Sequence, residues 1–323
     1  MDVTQIASSL SAPHSNVSKL SIAKASGLLG LSSDRVGRPG DDAAVLTRDD
    51  GGFDLLAGEG FIPAFVQDDP WFAGWCGVMV NLSDIAAMGG RATALVDQIW
   101  APDLADAQPV LEGMKSAAAA YGVPVVGGHS NLSAGELNLA VSVFGRAKAL
   151  ITSFDAQPGD VLIAAVDKRG AYRNFDNYFA AGSAPAGRLR TDLELLPQLA
   201  EAGLVTSGKD ISQGGIVGTA LMLAECSGVA IDIDLEKVDP PQNTSLERWL
   251  RSFPSFGFLL AVKPDDVETV CALFEARALE AQPIGQVKEG SCVRLMADGE
   301  SSNFWDHQST PYLGFGKGAA RYA

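Results

Sequence analysis

The amino-acid sequence predicts an α/β fold in two domains, and three observations lead to this prediction. The chain has 323 residues, more than a single hydrophobic core usually serves. Short apolar runs typical of strands alternate with longer segments of helical periodicity in both halves. A turn-rich stretch, SFDAQPGD, interrupts this alternation near residue 150. We therefore predict an N-terminal domain over residues 1–150 and a C-terminal domain over residues 151–323.

The N-terminal half contains four apolar runs that predict strands, with a long helix between the second and the third. Asp69 and Pro70 supply a helix cap and a first-turn proline, and Gly89 and Gly90 end the helix. The predicted strands cover residues 43–46, 53–57, 123–126 and 137–144.

The C-terminal half opens with the buried run VLIAAV and then alternates again. Strands are predicted in VAIDIDL and FGFLLAV. Helices are predicted over residues 192–202, after the SQG stretch at residues 212–214, and over residues 265–279.

Composition excludes several classes of protein. There are 24 basic and 39 acidic residues, giving a net charge of -15, and no Lys/Arg-rich run offers a nucleic-acid footprint. The four cysteines are widely scattered without paired metal spacing, which favours reduced thiols in a cytosol. The N-terminus lacks the pattern of an export signal, and no long apolar run predicts a membrane span. We predict a cytoplasmic protein without nucleic-acid or membrane partners.

Asp84 is an anomaly in the apolar stretch VNLSDIAAMGG. A carboxylate late in a helix faces the negative end of the helix dipole, and apolar surroundings also remove its hydration. Some compensating group is therefore expected. Asn81 lies three residues earlier on the same helix face and places an amide beside the carboxylate. The alternative is a satisfied buried pair that bonds backbone groups.

Two further stretches carry acids that suit a hard cation, which prefers oxygen ligands. In GDDAAVL, Asp41 and Asp42 follow a glycine and precede a strand. In LLAGEGFIP, Glu59 follows a strand, at the carboxyl end where ligands often bind. The alternatives are a polar turn for the first stretch and a solvent-facing acid for the second.

Two glycine-rich stretches present donors suited to a phosphate. In VPVVGGHSN, a strand is predicted to lead into a turn with successive backbone N–H groups. In KDISQGGIVG, Lys209 and Asp210 precede a helix whose N-terminus is rich in glycine. A hairpin turn and an ordinary helix cap are the alternatives. The candidate groups in the first stretch are Gly127, Gly128, His129 and Ser130.

The stretch DKRGAYRNFDNYF mixes basic and aromatic residues. It suits a lid over an anionic substrate, with Lys168, Arg169 and Arg173 as the cations. The alternative is a surface helix with one aromatic face.

In their order along the chain, these motifs resemble the superfamily of aminoimidazole ribonucleotide synthetase, which includes thiamine monophosphate kinase, selenophosphate synthetase and a hydrogenase maturation protein. GDDAAVL and NLSDIAAMGG look like signatures of the kinase. GFIPAFVQDDPWFAGW and GGHS look more like selenophosphate synthetase, and DISQGGI is similar to a helix start shared across the group. The resemblance covers roughly residues 15–290.

The resemblance implies a two-domain α/β fold, a homodimer formed by pairing the N-terminal sheets, and an ATP site whose phosphates are bridged to protein by Mg²⁺. Asp42, Asp84 and Asp210 match metal-binding acids, and Asp41 matches a supporting position. The glycine pair at residues 127–128 matches a phosphate-contacting loop. Magnesium facing Asp84 would keep that carboxylate ionised.

Departures from the family pattern are also informative. Glu59 stands where relatives usually have aspartate, and His129 stands where the kinase has aspartate. Gln213 replaces a second acid of the kinase, and PSFGFLL replaces its Gly-Glu-Asp-Tyr stretch. The chain is therefore not predicted to be a thiamine monophosphate kinase. The segment before GDDAAVL lacks a cysteine, so selenophosphate synthesis also fits poorly.

The functional hypothesis is ATP- and Mg²⁺-dependent phosphoryl transfer to, or phosphate activation of, a small acceptor. Lys209, Arg169 or Arg173 would neutralise developing charge, and His129 is a candidate base. The rival hypothesis is a nucleotide-binding scaffold that has lost turnover. The predicted metal ligands are Asp41, Asp42, Glu59, Asp84 and Asp210, and the predicted nucleotide contacts are Asn81 and residues 127–130.

Overall fold

The computed structural model describes residues 2–11, 19–31, 37–185 and 187–316. The chain divides into two compact units, each built from more than one segment. The N-terminal unit comprises Asp42–Leu150 and Ser183–Glu201. The C-terminal unit comprises Met1–Asp41, Ile151–Gly182 and Ala202–Ala323. A single boundary near residue 150 does not describe this exchange of segments, because local sequence patterns do not show which core a short segment joins.

The α-helices of the described residues alternate with strands in both units. In chain order they are α1 (Val3–Ser11), α2 (Ile22–Leu28), α3 (Pro63–Asp68), α4 (Pro70–Ala87), α5 (Leu104–Tyr121), α6 (Arg188–Leu193), α7 (Leu195–Glu201), α8 (Gly215–Ser227), α9 (Leu246–Arg251) and α10 (Val267–Glu275).

The strands form three sheets. In chain order they are β1 (Ala44–Thr47), β2 (Phe53–Gly60), β3 (Arg91–Trp100), β4 (Val125–Asn131), β5 (Asn138–Ala147), β6 (Val161–Val166), β7 (Ala171–Tyr172), β8 (Asn177–Phe179), β9 (Ser207–Asp210), β10 (Ala230–Asp234), β11 (Phe253–Pro254), β12 (Gly257–Val262), β13 (Glu280–Lys288), β14 (Cys292–Ala297) and β15 (Glu300–Asp306).

The N-terminal unit is a five-stranded sheet in the order β1-β2-β5-β3-β4. Alternate residues of β3, from Leu95 to Ile99, are buried, whereas Trp100 and its neighbours on the other face are less covered. The buried face packs against α4, whose Gly77 lies close to Val141 of β5. Because β4 pairs with β3 alone in this sheet, it is an edge strand.

Helix α4 carries Asp84 and follows the sequence prediction closely. The Asp69 side chain accepts a hydrogen bond from the backbone N–H of Phe72, and Pro70 opens the first turn. Gly89 just beyond the end of the helix has φ +73°, a conformation that favours glycine. Nearly every side chain of α4 is buried, so the helix is held firmly between the sheet and α5.

Strand β3 and helix α5 were not predicted from the sequence. Helix α5 is rich in alanine and has weak apolar periodicity, so its length is not apparent from the hydrophobic pattern. Its boundaries do carry a signal. Asp103 caps the backbone N–H groups of Ala105 and Asp106, and Gly122 follows the helix with a left-handed φ.

The C-terminal unit is built on a seven-stranded sheet in the order β15-β14-β10-β13-β6-β12-β9. The predicted strands in VLIAAV, VAIDIDL and FGFLLAV are confirmed as β6, β10 and β12. Helix α8 starts after Gly214, as predicted, and every residue of it is buried. Helix α10 ends at Glu275, earlier than predicted, and strand β9 was not anticipated.

The stretch DKRGAYRNFDNYF does not form the surface helix considered as its alternative. It contains the short strands β7 and β8, which join β11 in a three-stranded sheet. Across the described ranges, the structure contains no helix whose length and hydropathy would suit a membrane crossing.

Candidate functional site

Two carboxylates of the N-terminal unit come together although they are 42 positions apart in the sequence. Asp42 lies directly before β1, and Asp84 lies in the last turn of α4. Each offers a carboxylate oxygen, and these two oxygens lie within 4.8 Å of each other. Asp84 is buried and Asp42 is half-buried. Two charges at this separation repel by about 3 kcal/mol at an effective dielectric constant of about 20, so the pair favours a cation.

Asn81 is fully buried one helical turn before Asp84. Its amide nitrogen donates a hydrogen bond to the carbonyl of Gly77 at 2.8 Å. Its amide oxygen, Oδ1, is buried and has no hydrogen-bond partner among the described residues. Such an orphaned acceptor is uncommon in folded proteins. Asn81 and Asp84 lie one turn apart on the same helix, as predicted. The Oδ1 atom of Asn81 is therefore a candidate metal ligand beside the Asp84 carboxylate.

The carboxylate oxygens of Asp42 and Asp84 are a donor pair that suits Mg²⁺, and the Asn81 amide oxygen is a ligand of the same chemical kind. Carboxylates and amide oxygens are hard ligands, and Mg²⁺ commonly binds proteins through one or two carboxylates. No histidine or cysteine joins the close pair among the residues that the structure describes, which disfavours a softer metal.

Two other predicted metal ligands occupy different positions. Asp41 belongs to the C-terminal unit, and its Oδ1 accepts a hydrogen bond from the Ser153 backbone N–H at 2.6 Å. Asp41 therefore anchors its own turn. Glu59 is exposed near the end of β2. Within the described ranges, its carboxylate does not lie within 4.8 Å of both Asp42 and Asp84.

The predicted glycine turn at residues 127–128 is wrong in its local structure. Gly127, Gly128, His129 and Ser130 all lie inside β4, the edge strand, and are exposed. The paired glycines suggested a turn because glycine usually weakens a strand. Glycine is required at position 128 because the Asp97 side chain lies close to the backbone there. A Cβ on Gly128 would stand 2.2 Å from Oδ1 of Asp97.

Asp97 is a buried acid that the sequence reasoning missed. It lies on β3 directly opposite Gly128, and its Oδ2 has no hydrogen-bond partner among the described residues. Burial raises the pKa of this carboxyl, because the charged form loses hydration. An acid at a buried position of a strand would have indicated Asp97 as a candidate. This signal could not be used, because strand β3 was not predicted from the sequence.

Lys209 and Asp210 lie at the end of β9 in the C-terminal unit. Asp210 is half-buried and pairs with Phe258 of β12. Lys209 is buried, and its Nζ donates a hydrogen bond to the carbonyl of Gly40 at 3.3 Å. The lysine predicted to meet a phosphate thus has a structural contact with the Gly40–Asp41 turn.

The cations of the predicted lid have protein partners. Lys168 forms ion pairs with Asp239 at 2.8 Å and with Glu280 at 2.5 Å. Arg169 binds both oxygens of the buried Asp167, at 2.7 and 3.1 Å. These contacts hold both side chains within the C-terminal unit, and Arg173 is exposed.

Comparisons with known proteins support the resemblance to the synthetase superfamily. An uncharacterised protein of Synechocystis is 47% identical over 280 residues, covering 86% of this chain and 87% of the relative. The thiamine-monophosphate kinase of Methanopyrus kandleri is 30% identical over 277 residues, covering 81% of this chain and 86% of the kinase.

Solved structures share the fold at lower identity. The structure of AaThiL complexed with AMPPCP and TMP matches with a TM-score of 0.66 and 20% identity, covering 87% of this chain and 95% of that one. Thermotoga maritima PurL complexed with ATP matches with a TM-score of 0.73 and 19% identity, covering 88% of this chain and 48% of PurL. This chain thus spans about half the length of PurL.

Family models account for both halves of the chain. The model of the AIR synthase related protein N-terminal domain matches residues 40–147, and the model of the corresponding C-terminal domain matches residues 181–298. These ranges include the Asp42–Asp84 pair and Asp210. The predicted two-domain α/β fold is confirmed, and the chain belongs to the AIR synthase related family.

Proposed function

We propose that this protein uses Mg²⁺ and ATP to transfer a phosphoryl group to, or to activate with phosphate, a small acceptor metabolite. The approach of the Asp42 and Asp84 carboxylates to within 4.8 Å carries the proposal. Relatives named thiamine-monophosphate kinase and selenide, water dikinase support a reaction of this class. The solved structure of Thermotoga maritima PurL complexed with ATP has the same fold, which supports nucleotide binding by this protein.

Asp42 and Asp84 would hold the metal, and the orphaned Oδ1 of Asn81 would complete or orient the ligand set. Bound Mg²⁺ supplies charge neutralisation for the triphosphate. On the strength of the family resemblance, we assign Asp210 as a further ligand and Glu59 as an acid that reaches the metal through its longer side chain. Asp41 supports Asp42 by fixing the turn.

Edge strand β4 provides the proposed phosphate contact. Because β4 pairs only with β3 in its sheet, alternate backbone groups of Gly127–Ser130 point away from the sheet. Two adjacent glycines also keep this edge free of bulky side chains. Backbone N–H groups at such an edge suit phosphate oxygens. His129 is exposed there and remains our candidate base for the acceptor.

The direct test measures ATP consumption. Purified protein is incubated with ATP, Mg²⁺ and pools of small alcohols, amines and carboxylic acids, and ADP and phosphate are quantified. We expect release of ADP or phosphate that requires one pool and stops when EDTA removes the metal. ATP that raises Tm in the presence of Mg²⁺, without turnover in any pool, would instead support the nucleotide-binding scaffold. No rise in Tm would contradict both hypotheses.

We also infer a homodimer that forms through the N-terminal sheets, as the resemblance implies. Apolar side chains remain exposed on the sheet face opposite α4, with exposed fractions of 50% for Leu46, 44% for Leu56 and 37% for Trp100. Burying them against a second copy would stabilise the assembly.

The molar mass of the purified protein tests the dimer. Light scattering on the purified protein should give about twice the chain mass of 33.7 kDa. Leu56→Asp should shift the mass to that of one chain, because a charge would be buried at the interface. Asp49→Asn, an exposed change outside that face, serves as the control. A monomeric parent protein would contradict the inference.

A further inference from the structure

The buried carboxylate of Glu225 holds the segment Tyr312–Phe315. Glu225 lies near the end of α8 and is only 2% exposed. Its Oε2 accepts hydrogen bonds from the backbone N–H groups of Tyr312 at 2.8 Å and Leu313 at 2.9 Å. Its Oε1 accepts one from Gly314 at 2.7 Å. Three donors around one carboxylate compensate its burial near the negative end of the helix dipole.

The same end of α8 contacts the turn before Asp41 and Asp42. Gly40 has φ +112°, and a Cβ placed there would stand 2.9 Å from Sγ of Cys226. The same Cβ would stand 3.0 Å from Cζ of Phe154 and 3.3 Å from Cβ of Phe315. The Gly40 backbone is therefore fitted tightly between the helix end and the segment that Glu225 holds.

Two polar contacts fix the rest of this turn. The Lys209 Nζ donates to the Gly40 carbonyl at 3.3 Å, and the Ser153 N–H donates to Asp41 Oδ1 at 2.6 Å. Asp42 is the next residue along the chain. The backbone that precedes Asp42 is therefore held by packing from Phe315 and Cys226 and by two hydrogen bonds.

We propose that Glu225 and the segment Tyr312–Phe315 position the Gly40–Asp41 turn and thereby set the metal affinity of Asp42. This inference rests on the metal-binding role proposed above for Asp42 and Asp84. Glu225 is a positioning residue, because it acts through Phe315 and Gly40. Glutamine cannot replace it fully, since one end of the amide is a donor and would face a backbone N–H.

The test is Mn²⁺ binding to the full-length protein at low temperature, measured by the electron paramagnetic resonance signal of free Mn²⁺. Phe315→Gly, which removes the Cβ that lies beside Gly40, and Glu225→Gln should each weaken binding about tenfold, the lower end of what loss of a supporting residue costs a metal site. Phe315→Ala should keep most of the affinity, because alanine retains the Cβ beside Gly40. Circular dichroism verifies that each variant is folded under these conditions.

A destabilised control separates positioning from general loss of stability. Leu295 is fully buried in β14, in the same unit, and Leu295→Ala should lower Tm without changing Mn²⁺ affinity. If Phe315→Gly and Glu225→Gln bind Mn²⁺ as the parent does, or if Leu295→Ala weakens binding equally, the positioning role is wrong. If the parent itself binds no Mn²⁺, or Asp84→Asn binds as tightly as the parent, the proposed metal site fails instead.

Discussion

Asp84→Asn is expected to lower the affinity for Mg²⁺ and for Mg²⁺-dependent ATP binding by about 100-fold or more while leaving the protein folded. A carboxylate about 4 Å from a cation contributes about 4 kcal/mol at an effective dielectric constant of about 20. Each 1.4 kcal/mol changes affinity by about tenfold. Asparagine retains the shape of the side chain, and it also removes the repulsion with Asp42. The Tm without metal should therefore be no lower than the parent value.

Isothermal titration with Mg²⁺ and ATP, beside a melting curve without metal, measures both effects. Asp106→Asn is the matched control, because Asp106 is an exposed acid of another helix in the same unit. The control should bind as the parent does. Normal binding by Asp84→Asn would show that this buried acid has a purely structural role.

Asp232→Asn is expected to lower the free energy of unfolding by about 3 kcal/mol. Asp232 is buried in β10, and Arg294 binds its Oδ1 at 2.6 Å and its Oδ2 at 2.9 Å. Lys288 binds Oδ2 at 2.6 Å. Removing the carboxylate leaves two cations without their partner. The cost lies near the lower end of the range for breaking a buried ion pair, because both cations are partly exposed.

The same substitution should change how stability depends on pH. Burial by itself raises the pKa of Asp232, but hydrogen bonds from Arg294 and Lys288 outweigh this effect and lower the pKa below the usual value for aspartate. A lowered pKa stabilises the folded state at pH values above the pKa of the unfolded chain. This contribution is lost as the pH falls through the folded-state pKa. The parent and Asp232→Asn should therefore differ fully at pH 7 and converge below about pH 4.

Urea denaturation at several pH values measures this convergence. Asp265→Asn, at an exposed acid in the same unit, is the control and should follow the parent throughout. A difference between parent and Asp232→Asn that stays constant from pH 7 to pH 3 would show that the carboxylate does not stabilise the fold through its charge.

The sequence predicted that the Asp84 carboxylate needs a compensating group, and the same physical argument applies to Glu225. Both are acids in the last turn or two of a buried, apolar helix, so both need compensation. The structure compensates Glu225 with three backbone N–H groups from residues 312–314. The carboxylate of Asp84 lies within 4.8 Å of that of a second acid, Asp42. Sequence alone identifies the need for compensation, but a contact from 87 positions away decides how it is met.

The elements that escaped prediction lacked a local signal of the right kind. The sequence of β3 alternates only weakly between apolar and polar residues, although its burial alternates, and α5 is rich in alanine, so neither sequence has strong periodicity. Gly127 and Gly128 were predicted as a turn because glycine is rare inside strands. Gly128 lies within β4 because Asp97 of the neighbouring strand occupies the space of a side chain. That requirement is visible only once the two strands are paired.

The most direct measurement is anomalous diffraction from crystals of this protein grown with Mn²⁺ and ATP. We expect a manganese peak within bonding distance of carboxylate oxygens from both Asp42 and Asp84, with the ATP phosphates bound to the same ion. A peak elsewhere, or ATP bound with no manganese at these two acids, would contradict the claim that the pair holds the catalytic metal.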